Sequence, residues 1–381
     1  MECRKLYYED CNMRNFTATV TGCAPTEKGF AVTLDATAFY PEGGGQACDI
    51  GTLGSVNVLD VQEQGEAIVH LCDGALIVGT QVEGKINWER RFDLMQQHTG
   101  EHILSGLIFD RFGYHNVGFH VGKDGMEVDF DGPISWDVLM ELEAKANALV
   151  WQDIHVNCWY PAPEELPTIP YRTKRALPWP VRIVQMPGVD TCACCGVHVS
   201  GTAQVGLIKI LSCVKFHEGV RLVMVCGKRA YDHMAAVFEQ NRQVSQTFSA
   251  KALETGDAAR KVVEALALEK LRANKLQSRL FEETAKGYVN QSGVLHFEPG
   301  LDGGQLRELA EKIANACIGF AAVFSQREDG FAYCLAQPQG DLRVLCKEMN
   351  EVLSGRGGGK PAFQQGTVRA TEEQIREFFA R

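Results

Sequence analysis

Gln96-Gln97-His98-Thr99-Gly100-Glu101-His102 is the stretch from which the rest of the chain can be read. It lies in an apolar run with helical spacing, between Leu94, Met95 and Ile103, Leu104, Leu107, Ile108. On a helix, positions four apart share a face, so both imidazoles can address one point. That geometry suits zinc, which takes four ligands in a closed site or three plus an open position. Taken alone, the pair fits two satisfied, partly buried histidines equally well. A zinc protease helix would read His-Glu-x-x-His, but Glu101 directly precedes the second histidine, so that motif is absent.

A second half lies further along the chain. Cys194-Cys195-Gly196-Val197-His198 offers a thiolate and an imidazole, again four apart. His98, His102, Cys194 and His198 together make a tetrahedral zinc set. Cys192 and Cys195 then read as spare reduced thiols, since four ligands are already supplied.

The chain has 381 residues, enough for two or three domains. It is 45% hydrophobic and 23% charged, as soluble globular proteins are. No apolar run reaches transmembrane length, and Met1-Glu2-Cys3-Arg4-Lys5 is not followed by a signal-peptide core. The 14 scattered cysteines read as reduced thiols, so a cytoplasmic protein with no membrane partner is expected. The net charge of -10 does not advertise nucleic-acid binding, although a local basic patch would suffice for it.

Residues 1–85 alternate in the strand manner, for instance Phe16-Thr17-Ala18-Thr19-Val20 and Phe30-Ala31-Val32-Thr33-Leu34, and predict a small β-barrel or half-barrel. Inside it, Phe39-Tyr40-Pro41-Glu42-Gly43-Gly44-Gly45-Gln46 reads as a built loop. It is not a phosphate loop, because no Gly-Lys-Ser/Thr follows. Residues 86–230 read as mixed α/β. They include a helix over 136–152 with Ser135 as its N-cap and a strand over 205–210. Arg172, Lys174, Arg175 and Arg182 add local positive charge there, which a solvated surface also explains. Residues 231–285 predict a helical arm or coiled coil, with Gly256 as an interruption. Residues 286–381 form a last small α/β unit with a loop at Arg356-Gly357-Gly358-Gly359-Lys360, whose amides and charges suit phosphate. The expected class is therefore α+β, in four segments.

The order of these motifs resembles the AlaX-type alanyl-tRNA editing proteins, free-standing relatives of the editing half of alanyl-tRNA synthetase. The resemblance rests on residues 39–46, on 97–102, on 194–198, on Gly219-Val220-Arg221 and on the glycine-rich tail. It implies zinc on His98, His102, Cys194 and His198, in a central editing domain. It implies hydrolysis of the ester joining serine, or glycine, to alanine tRNA. The tail resembles the long-form DHH-associated domain, which implies tRNA binding through Arg356, Lys360, Gly357, Gly358 and Gly359 and a homodimer through the C-terminal region. The family cluster usually reads Cys-x-Gly-Thr-His followed by Thr-Gly-Glu, whereas here Val197 and Thr202-Ala203-Gln204 stand in those places.

Serine exceeds alanine by one hydroxyl, and a pocket built to hydrogen-bond it rejects alanine strongly. The resemblance makes Thr37 the first residue expected there, with Gln97 and Thr99 behind it and His120 as a further pocket residue. A threonine at a strand end can equally spend its hydroxyl on the backbone. Gly43, Gly44 and Gly45 are expected to aim amides at the reacting ester, with Gln46 beside them. Three other readings compete: a zinc hydrolase of small esters, a non-catalytic zinc-containing tRNA-binding or dimerisation module, and a threonyl-type editing relative.

Overall fold

A computed structural model describes residues 3–122, 125–173 and 179–380. Lys174 and Arg175, two of the basic residues singled out above, lie outside that set. The chain falls into two compact units, Met1–Arg242 and Gln243–Arg381, and the division lies within the helix Gly227–Phe248. The described residues carry eight α-helices and several sheets, a mixed α+β architecture. None of these helices is long and apolar enough to cross a membrane.

In the first unit, six antiparallel strands pair into a closed ring: Asn15–Thr26, Gly29–Leu34, Ala67–Cys72, Val56–Gln64, Gly51–Leu53 and Gln81–Ile86. Alternation puts Phe16, Ala18, Val20, Val32, Leu34 and Val58 inside. The ring leads directly into the helix Trp88–Phe112. Asn87 caps that helix by accepting from Arg90 N, and Gly113 ends it in the left-handed conformation at φ 71°. From Leu94 to Ile108 every residue of the helix is buried, so it is a core helix with ligands on it rather than an amphipathic surface helix.

Arg91, fully buried on this helix, forms an ion pair with the fully buried Asp49 and donates to the Ala38 carbonyl at 2.6 Å. Asp49 also accepts from Tyr40 N at 2.6 Å. Two buried charges so tightly paired and hydrogen-bonded fix the glycine loop against the helix. A four-stranded antiparallel sheet covers the other side, in the order Ile208–Phe216, Gly219–Cys226, Met126–Phe130 and Asn116–Val121. A three-stranded sheet of Asn157–Trp159, Ile183–Met186 and Asp190–Ala193 brings up the cysteine cluster.

The second unit is a five-stranded sheet in the order Ser292–Phe297, Ile318–Arg327, Gly330–Ala336, Phe363–Val368 and Arg356–Lys360. Only the first pair is parallel. Alternation along the second strand sends Ala321 and Val323 to one core, with Leu309 and Ile313, and Ala322 and Phe324 to the other, with Met349 and Ile375.

Several details differ from the sequence reading. The glycine-rich tail is an edge strand, Arg356–Lys360, not a loop, because its backbone pairs along Phe363–Val368. Ser135 stands at the N-cap position without a side-chain capping bond. The strand expected over 205–210 begins at Ile208, since a 3-10 turn, Thr202–Val205, and Gly206 at φ 79° precede it. The helical segment is broken over residues 249–254, ahead of Gly256, which lies inside the helix Thr255–Lys286.

Candidate metal centre

His98, His102, Cys194 and His198 converge. Their ligand atoms all lie within 4.8 Å of one another, and Cys194 Sγ is 3.4 Å from His98 Nε2. The long helix supplies the first two from one face. The segment after the strand Asp190–Ala193 supplies the others.

Each imidazole is oriented through Nδ1. His98 donates to Gln46 Oε1 at 2.8 Å, His102 to Asp190 Oδ2 at 3.0 Å, and His198 to Thr99 Oγ1 at 3.2 Å. All three therefore present Nε2 to the common point, the arrangement by which neighbouring groups orient metal ligands. His198 Nε2 is buried with no hydrogen-bond partner. A buried nitrogen of that kind is costly unless something coordinates it. Three imidazoles and one thiol are a donor set for zinc, so the residues fit the ion that the sequence suggests.

The electrostatics agree. Burial opposes ionisation of Cys194, but His98, His102 and His198 around it hold the thiol well below its ordinary value. Burial pushes the His198 imidazolium down to about 3, with His98 and His102 adding to the effect. Burial also works against the Asp190 carboxylate, yet hydrogen bonds from His102 and Arg172 hold it below the usual range. Arg172 reaches Asp190 with two bonds, at 2.7 and 2.8 Å.

Gly196 is fixed by packing. A Cβ there would stand 2.1 Å from His98 Cε1, so the ring passes over bare backbone. Val197 is buried, and its N–H reaches Gln46 Oε1 at 3.3 Å. Gln204 is exposed, and its side-chain oxygen accepts from Ser200 N at 3.1 Å, so this departure from the family pattern touches the loop rather than the four donors.

A cavity of about 750 Å³ opens on the cluster. His98, His102, Cys194, Gly44, Gly45 and Glu101 are among the residues that line it. Glu101 accepts from Ser105 Oγ at 2.5 Å and from Asn116 Nδ2, while its second oxygen stands 3.9 Å from His102 Nε2. Asn116 Oδ1, also in the wall, is buried and unpaired.

The other expected site residues are distributed differently. Gln97 is buried and ties the helix to Cys226, accepting from its N at 2.8 Å and donating to its carbonyl at 2.9 Å. Thr37 is buried in the ring, 2.8 Å from His70 Nε2, and its hydroxyl also accepts from Phe39 N at 3.1 Å. It is not among the cavity-lining residues. His120 is exposed, and its neighbour Phe119 takes the inward position, 5.1 Å from the His98 ring. Asp190 and Asn116 were not singled out from sequence, because their separation along the chain hides them; Arg172 and Arg182 were noted there only as local positive charge, with a solvated surface as the other reading.

A closed strand ring, a glycine loop and a cavity lined by three of four converging donors define an α+β protein with a cleft whose side chains could hold a metal. Residues 5–90 match the tRNA synthetases class II (A) family, residues 181–223 the threonyl and alanyl tRNA synthetase second additional domain, and residues 290–381 the DHHA1 domain. The alanyl-tRNA editing protein Aarsd1 of Danio rerio is 30% identical over 385 residues, covering 95% of this chain and 93% of that protein. The Mus musculus protein of the same name is 28% identical over 386 residues, with the same coverage. The alanine–tRNA ligase of Pyrococcus abyssi is 32% identical over 396 residues, but this chain spans only 42% of it. The chain belongs to the alanyl-tRNA editing protein family.

Proposed function

We propose that this protein removes serine, and secondarily glycine, from mischarged alanine tRNA by hydrolysing the aminoacyl ester. The observation that carries the reading is the unpartnered His198 Nε2, set against His98, His102 and Cys194, which line a cavity. We assign zinc to these four donors; bound there, it would supply Lewis acidity toward the ester or its water.

The chain's own groups supply the rest. Gly43 N is already committed to the Gln46 carbonyl at 3.1 Å, so the amides of Gly44 and Gly45 are the donors for the developing oxyanion. Glu101, beside His102, orients the attacking water and holds its proton. The buried acceptor Asn116 Oδ1 suits a serine hydroxyl, which alanine cannot offer. Thr37, the residue that the family resemblance suggests, would act through His70 and the ring rather than by direct contact. Thr37→Val should leave the serine-to-alanine ratio nearly intact, whereas Asn116→Ala should collapse it; the reverse result restores Thr37 as the reader.

Arg356, Lys360 and the glycines between them are proposed to meet tRNA phosphates, and the helix Thr255–Lys286 to pair two copies, in a cytoplasmic protein. Deacylation of serine-charged and alanine-charged alanine tRNA, by wild type and His102→Ala, tests the main reading. Serine loss that disappears in the variant is expected. Release of neither amino acid would favour the second reading, a tRNA-binding module with structural zinc, for which the complete four-donor set speaks.

A further inference from the structure

We infer that Arg182 is an anion subsite that takes the phosphodiester of the substrate's terminal nucleotide; this rests on the reading of an aminoacyl-nucleotide substrate proposed above. Arg182 is 8% exposed. Its Nη1 donates to the carbonyls of Cys194 at 3.1 Å and Gly196 at 2.8 Å. Its guanidinium lies 4.5 Å from the centre of the Tyr8 ring, and Tyr8 in turn donates to the Cys195 carbonyl at 2.6 Å.

What Arg182 lacks is a counter-charge. Among the described residues no carboxylate pairs with it, and its Nε and Nη2 donate to no oxygen. The contrast with its neighbours is direct. Of the other cations in the wall of the cavity, Arg172 is paired with Asp190 and Lys5 with Glu63. A buried cation with no carboxylate partner is expensive in a protein. The groups that face Arg182 are the thiols of Cys158 and Cys194 and the phenols of Tyr8 and Tyr160, not carboxylates, and the metal set claims the Cys194 sulfur.

Arg182 and Tyr8 line two cavities at once. One is the 750 Å³ cavity on the metal side; the other, of about 580 Å³, reaches His198 from behind. Both cavities hold acids, Glu9 and Asp10 in the second and Glu63 and Glu101 in the first, so the donors decide between them: His98, His102 and Cys194 line the first. The phosphate therefore enters from the metal side, with the ester toward the donors and the phosphodiester on the guanidinium fork. A planar fork held by two carbonyls and a ring face is pre-organised for a phosphate in a way that a lysine is not.

The test uses the zinc-loaded full chain. Calorimetric titration with adenosine 5′-monophosphate, adenosine and inorganic phosphate is compared for wild type, R182K and R182Q. Steady-state deacylation of serine-charged tRNA and of seryl-adenosine, which lacks the phosphate, accompanies it. Wild type should bind the nucleotide about tenfold or more tightly than the nucleoside, and R182Q should abolish that difference. In R182Q the loss of kcat/KM on charged tRNA should exceed that on seryl-adenosine by about tenfold or more, and it should lie in KM. Equal binding of nucleotide and nucleoside, or inorganic phosphate binding as well as the nucleotide, overturns the subsite. So does an equal fall in kcat on both substrates, which would make Arg182 a brace of residues 194–196. Zinc content identifies a collapsed loop in R182Q, in which case R182K carries the comparison. A wild type that binds the nucleotide through Arg182 yet deacylates no charged tRNA overturns the proposed function and leaves the subsite standing.

Discussion

Gln46 connects two motifs that are far apart in the chain. Its carbonyl accepts from His98 Nδ1 and Val197 N, so the glycine loop and both halves of the donor set share one side chain. Replacing it with leucine leaves the His98 N–H unmet and the ring free to turn. Gln46→Leu is expected to weaken zinc binding by about 10- to 100-fold, with the fold retained. Competition against a chromophoric chelator measures this, and wild-type affinity in the variant would refute the orienting role. Thr37 faces a different environment. His70 Nδ1 donates to the Val32 carbonyl at 3.1 Å, so Nε2 is the acceptor for the Thr37 hydroxyl. Thr37→Val should cost about 1–3 kcal/mol, read by urea unfolding, because it strands that nitrogen in a dry interior. At this scale sequence reading fared unevenly. The donors were legible because a helix and a short loop repeat them at a spacing of four. Asp190 and Asn116 were not, because long-range folding alone brings them beside the donors.

His70 also sets a pH dependence for the strand ring. Burial pushes its pKa from an ordinary 6.5 down to about 4, and the Val32 carbonyl only partly offsets this. The unfolded chain therefore takes up the proton first. Stability is intact above pH 6.5 and is lost as the pH falls toward 4, by roughly 3 kcal/mol in total for this one group. Unfolding free energies of wild type and His70→Gln over that interval would show it; parallel curves would rule it out.

The edge strand Arg356–Lys360 makes a second prediction at this scale. A Cβ on Gly357 would stand 2.3 Å from the Gln365 carbonyl oxygen and 2.4 Å from the Tyr333 hydroxyl, whereas one on Gly358 meets nothing within 4 Å. Gly357→Ala should lower the melting temperature of the second unit and Gly358→Ala should not. If Gly358→Ala nonetheless weakens tRNA binding, its bareness serves the ligand. Composition alone favoured a loop here, since glycine has little strand propensity; the pairing with Phe363–Val368 overrides it.

For the whole molecule, the α+β class and the order of elements followed from periodicity, as did a barrel or half-barrel in the first segment; periodicity left the choice between those two open, and the six strands close into a ring. Closure depends on the pairing of Asn15–Thr26 with Gln81–Ile86, a contact between the first long strand and the last. The helix Thr255–Lys286 leaves Val262, Val263, Leu266, Leu271, Leu276 and Leu280 at least half exposed. Apolar residues in that number along one helix are a surface waiting for a partner. Sedimentation should show a concentration-dependent dimer that Leu266→Glu with Leu276→Glu dissociates; a wild type that stays monomeric at high concentration would remove the dimer from the proposal.

The edge strand has one more implication, for how copies of the protein tolerate crowding. It is the last strand of its sheet, so one row of backbone amides and carbonyls faces outward, and three consecutive glycines place no side chain over them. Such an edge is a template for adding a foreign strand. Arg356 and Lys360 at its two ends repel the same edge of another copy while attracting a polyanion. The charges that suit it to nucleic acid thus also keep it from growing into an aggregate, and neutralising both would be felt first as a loss of solubility.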